Sequence, residues 1–252
     1  MKKAIWIVLL ILIADQILKI WIKTTFYLGE SHPVAGHWFY FHFTENEGMA
    51  FGMKLGGQWG KLALSIFRII AIIGISWWLY TAAKKGAGNL MIVCISLILA
   101  GAIGNIIDSA VYGLIFNESS YMQLATLFPK GGGYSSFLHG KVVDMFYFPI
   151  IETRFPNWVP LYGGDEFVFF RPVFNIADSA ITTGVLMLIV FQRRIFPTTK
   201  LRKANKENYF TLIVLPTRSK VVGLSLFMAQ ISFTLVWYFF ARCPRVSPFL
   251  IL

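Results

Sequence analysis

The 252-residue chain has little charge and few cysteines. Charged residues make up 14% of it, whereas 56% are hydrophobic and 17% are aromatic. This composition argues against a soluble or disordered chain and predicts an integral membrane protein. Cys94 and Cys243 have neither the spacing of a metal site nor that of a disulfide framework, so we interpret both as packing residues.

The sequence motifs of metal, serine and nucleotide enzymes are also missing. No His-Glu-x-x-His motif, Ser/His pairing or phosphate loop occurs, and His32, His37 and His42 recur at a spacing that suits neither a helix face nor a strand face. We therefore predict surface histidines, no metal site and no cofactor. The net charge of +11 does not indicate nucleic-acid binding, because the basic residues cluster at the ends of apolar runs. Anionic lipid and the choice of membrane topology explain that placement.

Four apolar runs are long enough to cross a bilayer at about 1.5 Å of helix per residue. They comprise residues 4–22, 62–80, 90–107 and 174–191. The first run continues through Asp15 and Lys19 into Trp21, so we interpret it as an uncleaved helix and not as a signal peptide. Arg68 lies near enough to the start of the second run for its side chain to snorkel to the interface. The sequence thus predicts a polytopic, mainly α-helical membrane protein.

Pairs of basic residues flank these runs on one predicted side of the membrane. The pairs are Lys2 with Lys3, Lys84 with Lys85, and Arg193 with Arg194. With four spans, all three pairs fall on the same side, which the positive-inside pattern identifies as cytoplasmic.

Six polar residues of the runs then lie in one outer layer of the membrane. They are Asp15, Lys19, Asn105, Asp108, Asn175 and Asp178. An intramembrane acid is a functional candidate, and an amide and an acid three residues apart share a helix face. Structural roles remain as alternatives: Asn175 or Asp178 as a helix cap, and Asp15 with Lys19 as a structural ion pair.

Asp144, in the outer segment before the fourth run, can join this layer of acids. Two carboxylates that lie close together cannot both ionise cheaply, so one keeps a proton. The ionised member can then take a proton from water while the protonated member activates a carbonyl group. Without metal ligands or a Ser/His pair, the leading chemistry for this layer is that of an aspartic protease.

The outer segments contain a predicted strand and a long connection. The aromatic stretch 38–43 predicts a strand on or near the membrane surface. Asn46 and Gly48 then allow a tight loop or a re-entrant turn. The region between Asp108 and Asp178 is too long to be only a connection, and its glycine run at 130–133 predicts flexibility.

Four blocks of sequence carry a family resemblance. They are Ala14-Asp15-Gln16 with Lys19, Asn46-Glu47-Gly48-Met49-Ala50-Phe51-Gly52, Gly104-Asn105-Ile106-Ile107-Asp108, and Val142-Val143-Asp144 with Phe174-Asn175-Ile176-Ala177-Asp178. In order and predicted topology, residues 1–195 resemble the bacterial lipoprotein signal peptidases, also called signal peptidase II. The resemblance implies four transmembrane helices, a small extracytoplasmic β-cradle and a covering loop or helix. The basic residue that commonly follows the acid of the third block is Ser109 in this chain.

The resemblance also implies an activity and a site. Asp144 and Asp178 would be the catalytic pair. The residues that would shape the site or the substrate groove are Asp15, Lys19, Asn46, Gly48, Asn105, Asp108 and Asn175. The implied reaction removes signal peptides from prolipoproteins on the amino side of a diacylglyceryl-modified cysteine. Its expected setting is the bacterial cytoplasmic (inner) membrane, where a monomer in contact with membrane lipids holds the site near the extracytoplasmic face.

Two other functions are compatible with intramembrane acids: a proton-coupled transporter and a non-catalytic membrane scaffold. A transporter predicts internal repeats with broken helices, which we do not find in the sequence. We expect a membrane-embedded aspartyl peptidase domain at 1–195 and a basic and hydrophobic tail at 196–252 without family counterpart. In that tail, residues 221–240 could cross as a fifth helix, lie in the interface or stay poorly ordered.

Overall fold

The computed structural model describes residues 1–47, 57–154, 164, 166–169 and 172–196. In these ranges, three helical segments are long and apolar enough to cross a membrane. The helices are α1 (Lys2–Thr25), α2 (Gly57–Lys84) and α3 (Asn89–Ile107), then α4 (Gly113–Ile115), α5 (Ile176–Val190) and α6 (Gln192–Ile195). A π-helical turn, Asp108–Tyr112, joins α3 to α4 without a break.

All four predicted apolar runs form helices, which confirms the mainly α-helical, polytopic fold class. Two boundaries differ from the prediction. The third helical segment continues to Ile115, because the π turn inserts extra backbone and keeps Asp108 and Tyr112 buried. The fourth helix is shorter, since Asn175 has extended backbone angles (φ −125°, ψ −177°) and the helix begins only after it.

Four antiparallel strands form a small sheet in the order β1-β2-β3-β6. The strands are β1 (Ser31–Ala35), β2 (Phe39–Asn46), β3 (Val142–Tyr147) and β6 (Val173–Phe174), while β4 (Ile151–Arg154) and β5 (Glu166–Phe169) form a separate antiparallel pair. The predicted aromatic strand corresponds to β2, whose alternate residues Phe39 and Phe41 contact Phe146 on β3. Cross-strand aromatic pairs of this kind stabilise a sheet with one packed face.

Two apolar clusters lie on either side of the predicted layer of polar residues. The first contains residues from the half of each helix nearest the basic pairs, including Ala4, Leu79, Ile95 and Leu188. The second joins the opposite helix ends to the sheet through residues such as Ile22, Phe43, Phe116 and Val143. The predicted packing role of Cys94 is confirmed, because it is fully buried in the first cluster; Cys243 lies outside the described residues.

Small residues let α3 and α5 approach closely. A Cβ atom on Gly101 would lie 2.2 Å from the carbonyl oxygen of Ala177, and one on Gly184 would lie 2.8 Å from the carbonyl oxygen of Cys94. Neither position can carry a larger side chain unless the helices separate. This contact places the start of α5 against the end of α3.

The long segment between α4 and β3 packs back onto α3 and α4. A Cβ atom on Gly133 would lie 2.1 Å from the Gly113 carbonyl oxygen, and one on Gly140 would lie 2.2 Å from that of Asp108. Gly133 therefore sits against fixed backbone, although its glycine run predicts flexibility. Residues 116–141 contain no helix, which favours the loop alternative for the predicted covering element. The possible fifth helix at 221–240 lies outside the described residues.

Candidate active site

Asn175 places the first turn of α5 and reaches Asp144 at the same time. Its Oδ1 accepts a hydrogen bond from the Asp178 backbone N–H at 2.9 Å, so Asn175 is the N-cap of this helix. Its Nδ2 donates to Asp144 Oδ1 at 2.8 Å. The cap that the sequence offered as an alternative is therefore confirmed, and the same side chain connects the two candidate catalytic acids.

Asp144 lies in the middle of β3, opposite Thr44 of β2. Its side chain is buried among the sheet and the helix ends, with only 5% of the residue exposed. The side-chain amide of Asn175 also donates to the carbonyl oxygen of Val143 at 3.2 Å. The strand that carries Asp144 is thus tied directly to the start of the helix that carries Asp178.

Asn105 connects Asp178 to Lys19 of α1 and to Asn175, and these residues belong to one cluster of polar side chains. Its Nδ2 donates to Asp178 Oδ1 at 2.7 Å, and its Oδ1 accepts from Lys19 Nζ at 3.0 Å. An ammonium group can only donate and a carboxylate can only accept, so these two partners fix the orientation of the amide. Asn105 Oδ1 also accepts from Asn175 Nδ2 at 3.2 Å, which joins the two predicted asparagines.

Lys19 is the central cation of the cluster. Its Nζ lies 2.9 Å from Asp15 Oδ2 and 2.8 Å from Asp108 Oδ2, and all three side chains are almost completely buried. The Asp15 carboxylate also accepts the Ala177 backbone N–H at 2.9 Å, and Asp108 accepts that of Val143 at 3.3 Å. The Asp15–Lys19 ion pair suggested by the sequence is present. Asp15 and Asp108 also hold the backbone next to the two catalytic candidates.

Asn46 and Gly48 are the remaining predicted site residues. Asn46 ends β2 and pairs with Val142, two positions before Asp144. Gly48 lies outside the described residues, as does the rest of its block through Gly52. The Ser109 hydroxyl donates to the Asn105 carbonyl oxygen at 3.2 Å, so its hydrogen bond is made to the backbone of its own helix.

Three further side chains belong to the cluster and were not predicted as site residues. Gln16 donates to Asp108 Oδ1 at 3.0 Å and accepts from the Tyr112 hydroxyl at 3.1 Å. Arg68, predicted to snorkel, is half-buried and lies within electrostatic range of Asp178, Asp108 and Asp144. Gln16 belongs to the first sequence block, and its position there could have identified it as a site residue. Nothing in the sequence shows which way Arg68 faces.

The electrostatics of Asp144 favour its protonated form. Burial raises the pKa of the Asp144 carboxyl well above its ordinary value, and the neighbouring Asp178 charge raises it further. The Lys19 ammonium and the hydrogen bond from Asn175 act in the opposite direction. The two carboxyl groups can therefore share a single proton.

A second buried polar cluster lies beside the first. Lys23 is fully buried, pairs with Glu45 of β2 and donates to Ser119 Oγ at 2.8 Å. Its ammonium group also lies 5.3 Å from the ring centroid of Phe116 and 5.2 Å from that of Tyr134. These contacts join α1, the sheet and the long segment after α4, and they leave the catalytic candidates untouched.

Comparisons with known proteins cover the same part of the chain. A family model described as signal peptidase (SPase) II matches residues 7–194. The lipoprotein signal peptidase of Porphyromonas gingivalis is 55% identical over 185 residues, or 73% of this chain and 80% of that protein. The lipoprotein signal peptidase of Amoebophilus asiaticus is 37% identical over 200 residues, or 77% of this chain and 80% of that protein. A solved bacterial membrane enzyme structure, determined by the in meso method at 2.3 Å resolution, shows 25% identity and a TM-score of 0.51, covering 81% of this chain and 95% of its own.

Proposed function

The chain belongs to the signal peptidase II family and is a membrane peptidase that cleaves signal peptides from prolipoproteins; we propose that Asp144 and Asp178 carry out the hydrolysis. Family membership decides against the transporter and scaffold alternatives. It does not by itself assign the catalytic residues.

The observation that carries this assignment is that asparagine side chains hold both carboxyl groups, that of the buried Asp144 and that of the partly buried Asp178. Asn175 donates to Asp144 at 2.8 Å and caps the turn that carries Asp178, while Asn105 donates to Asp178 at 2.7 Å. Amide donors orient carboxyl groups without neutralising them, so the pair keeps its capacity to exchange a proton. Asp15 and Asp108 are instead paired with Lys19, which suits a structural role.

The proposed reaction needs one ionised and one protonated carboxyl group. The ionised member takes a proton from a water molecule, whose oxygen attacks the scissile carbonyl carbon, and the protonated member gives its proton to the carbonyl oxygen. The resulting gem-diol then returns one hydroxyl proton to the second acid, while the first acid protonates the leaving nitrogen. The C–N bond breaks, and both carboxyl groups end in their starting protonation states.

We infer an extracytoplasmic position for this site in the bacterial cytoplasmic membrane. The predicted basic pairs stand at the opposite ends of the helices, and the positive-inside pattern assigns those ends to the cytoplasm. Outward-facing residues of α1 and α2 such as Leu10, Ile17, Ile70 and Trp77 are exposed and apolar, as lipid contact requires. A site between lipid-facing helices and a surface sheet fits a substrate cysteine that carries diacylglyceryl chains.

Lipid dependence is the direct test of the proposed substrate. Purified full-length protein in lipid is given one prolipoprotein in two forms, with and without the diacylglyceryl group on its cysteine. We expect cleavage on the amino side of the cysteine only in the lipidated form. Equal rates on both forms would contradict the proposed specificity, and a product that begins at another residue would contradict the proposed cleavage position.

We further propose that residues 1–195 are the catalytic unit and that it acts as a monomer. Each contact described at the site comes from this range of a single chain. Truncation after Arg202 keeps Arg193, Arg194, Lys200 and Arg202 and removes the rest of the basic and hydrophobic tail. The truncated protein is expected to cleave the lipidated precursor at the full-length rate, and an inactive but inserted truncation would show that the tail takes part.

A further inference from the structure

We propose that residues 127–130, a turn of the long segment between α4 and β3, insert into the lipid leaflet that surrounds the site end of the helices. We call these residues the anchor turn, and its apolar side chains are those of Leu127 and Phe128. The inference goes beyond the proposed function, because it does not depend on which acids are catalytic.

The helical segment next to the anchor turn has an apolar outer face. This segment, Asn89–Ile115, is long and apolar enough to cross a membrane. Near its end, Val111 and Leu114 are 37% and 48% exposed, whereas Tyr112 is 1% exposed. Val111 and Leu114 are three residues apart and therefore share a helix face. In a membrane protein, such an exposed apolar face at the end of a span meets lipid.

Backbone contacts fix the anchor turn against this helix end. The Phe128 N–H donates to the Ile115 carbonyl oxygen at 2.7 Å. Leu127 forms a β-bridge with Phe116, which is the first residue after α4. The position of the anchor turn along the membrane normal is therefore set by the end of the span, and its side chains continue the lipid-facing surface of that span.

The backbone conformation of Phe128 is strained for a large side chain. Its φ is 52°, in the left-handed region that bulky residues seldom adopt. Even so, 73% of Phe128 and 45% of Leu127 are exposed on the surface of the chain. Packing within the described part of the chain does not compensate for this conformation, whereas burial of both side chains in lipid would do so.

The polar groups of the anchor turn suit the boundary between acyl chains and headgroups. Pro129 has no backbone N–H, and its carbonyl oxygen accepts the Gly132 N–H at 3.0 Å. Lys130 is exposed, and its long stem lets the ammonium group reach lipid phosphates while the neighbouring apolar side chains lie deeper. An apolar pair beside a lysine therefore matches the two layers of a leaflet.

Anchoring adds a lipid attachment to a segment that the protein already holds near both ends. Near its start, Ser119 donates to Glu45 of β2 at 2.8 Å. At its end, the segment leads into β3, the strand that contains Asp144. Lipid contact at the anchor turn would therefore keep the middle of the segment at the membrane surface beside the site.

The test is the accessibility of a nitroxide label in full-length protein reconstituted into lipid. Cys243→Ser leaves the buried Cys94, and labelling of that background alone gives the contribution of this thiol. Phe128→Cys adds a labelling site in the anchor turn, and Leu114→Cys adds a lipid-facing reference. Each label should collide more often with oxygen, which partitions into lipid, than with a water-soluble nickel chelate.

Glu118→Cys is the matched control, because Glu118 lies in the same segment and its side chain is 71% exposed. The ratio of oxygen to nickel collisions should be several-fold higher for Phe128→Cys than for Glu118→Cys. Equal ratios would overturn the inference, since the Phe128 ring would then face water.

Low collision rates of the Phe128→Cys label with both reagents would also overturn the inference, because they would show burial against a second copy of the chain or another protein. If Phe128→Cys does not accumulate in membranes, Leu127→Cys reports on the same turn by the same criterion. The readout does not use activity, so a failure of the proposed catalytic pair leaves this test unaffected.

Discussion

Replacing Lys19 by methionine should destabilise the protein more than almost any other single change at a lysine. The ammonium group makes contacts of 2.8 Å, 2.9 Å and 3.0 Å with Asp108, Asp15 and Asn105. Methionine fills nearly the same volume but offers no donor, so two buried carboxylates lose their cation. Breaking a buried ion pair from one side typically costs about 3–5 kcal/mol, because the stranded charge stays in a low-dielectric environment.

The loss is measurable as a change in thermal and denaturant-induced unfolding of the purified protein. For a chain of this size, each kcal/mol lowers Tm by about 2–4 °C, so Lys19→Met should unfold roughly 10 °C below the unaltered protein. Lys85→Met is the matched control, since Lys85 is exposed at the end of α2, and its effect should stay within about 0.5 kcal/mol.

A second substitution separates charge from packing. In the Lys19→Met background, Asp15→Asn removes one of the stranded charges and should recover part of the lost stability. Equal Tm values for Lys19→Met and Lys85→Met would refute the buried-pair reasoning. A Lys19→Met variant of full stability and no activity would move Lys19 from a structural to a catalytic role.

Two further substitutions test how the helices present the site. Gly101→Ala should lower both stability and cleavage rate, because its Cβ would lie 2.2 Å from the Ala177 carbonyl oxygen, whereas Gly74→Ala, with no atom within 4 Å, should leave Tm unchanged or slightly raised. Asn175→Ala should cost about 1–2 kcal/mol of unfolding free energy through the lost cap and lower the cleavage rate through the lost donor to Asp144. Similar unfolding of the two glycine variants, or undiminished turnover by the asparagine variant, would contradict these expectations.

The layer of acids was predictable from sequence because it depends on few physical rules. Hydrophobic length gives the spans, the basic pairs give their direction, and the position of each acid along its helix then gives its depth. Asp15, Asp108 and Asp178 come together in the structure as this reasoning predicts. The capping role of Asn175 was also available, because an asparagine before an apolar run is a common helix start.

The features that the sequence did not reveal depend on how each helix is rotated about its own axis and on contacts between segments that are distant in the sequence. A single arginine near the start of a span gives no sign of which helix face is packed, so Arg68 was assigned to the interface. Lys23 at the end of α1 would ordinarily face water, yet Glu45 and Ser119 bury it. The π turn that starts at Asp108 leaves the apolar pattern nearly unchanged, and periodicity therefore cannot detect it.

The most direct test of the account is the cleavage rate of a lipidated prolipoprotein by Asp144→Asn and Asp178→Asn. Each change keeps the shape of the side chain and removes its ability to exchange a proton, so each should lower the rate by about a thousandfold or more. Glu118→Gln makes the same chemical change at a side chain that is 71% exposed, and it should leave the rate unchanged. All variants should insert into the membrane and unfold cooperatively. Substantial turnover by either folded aspartate variant would contradict the assignment of Asp144 and Asp178 as the catalytic pair.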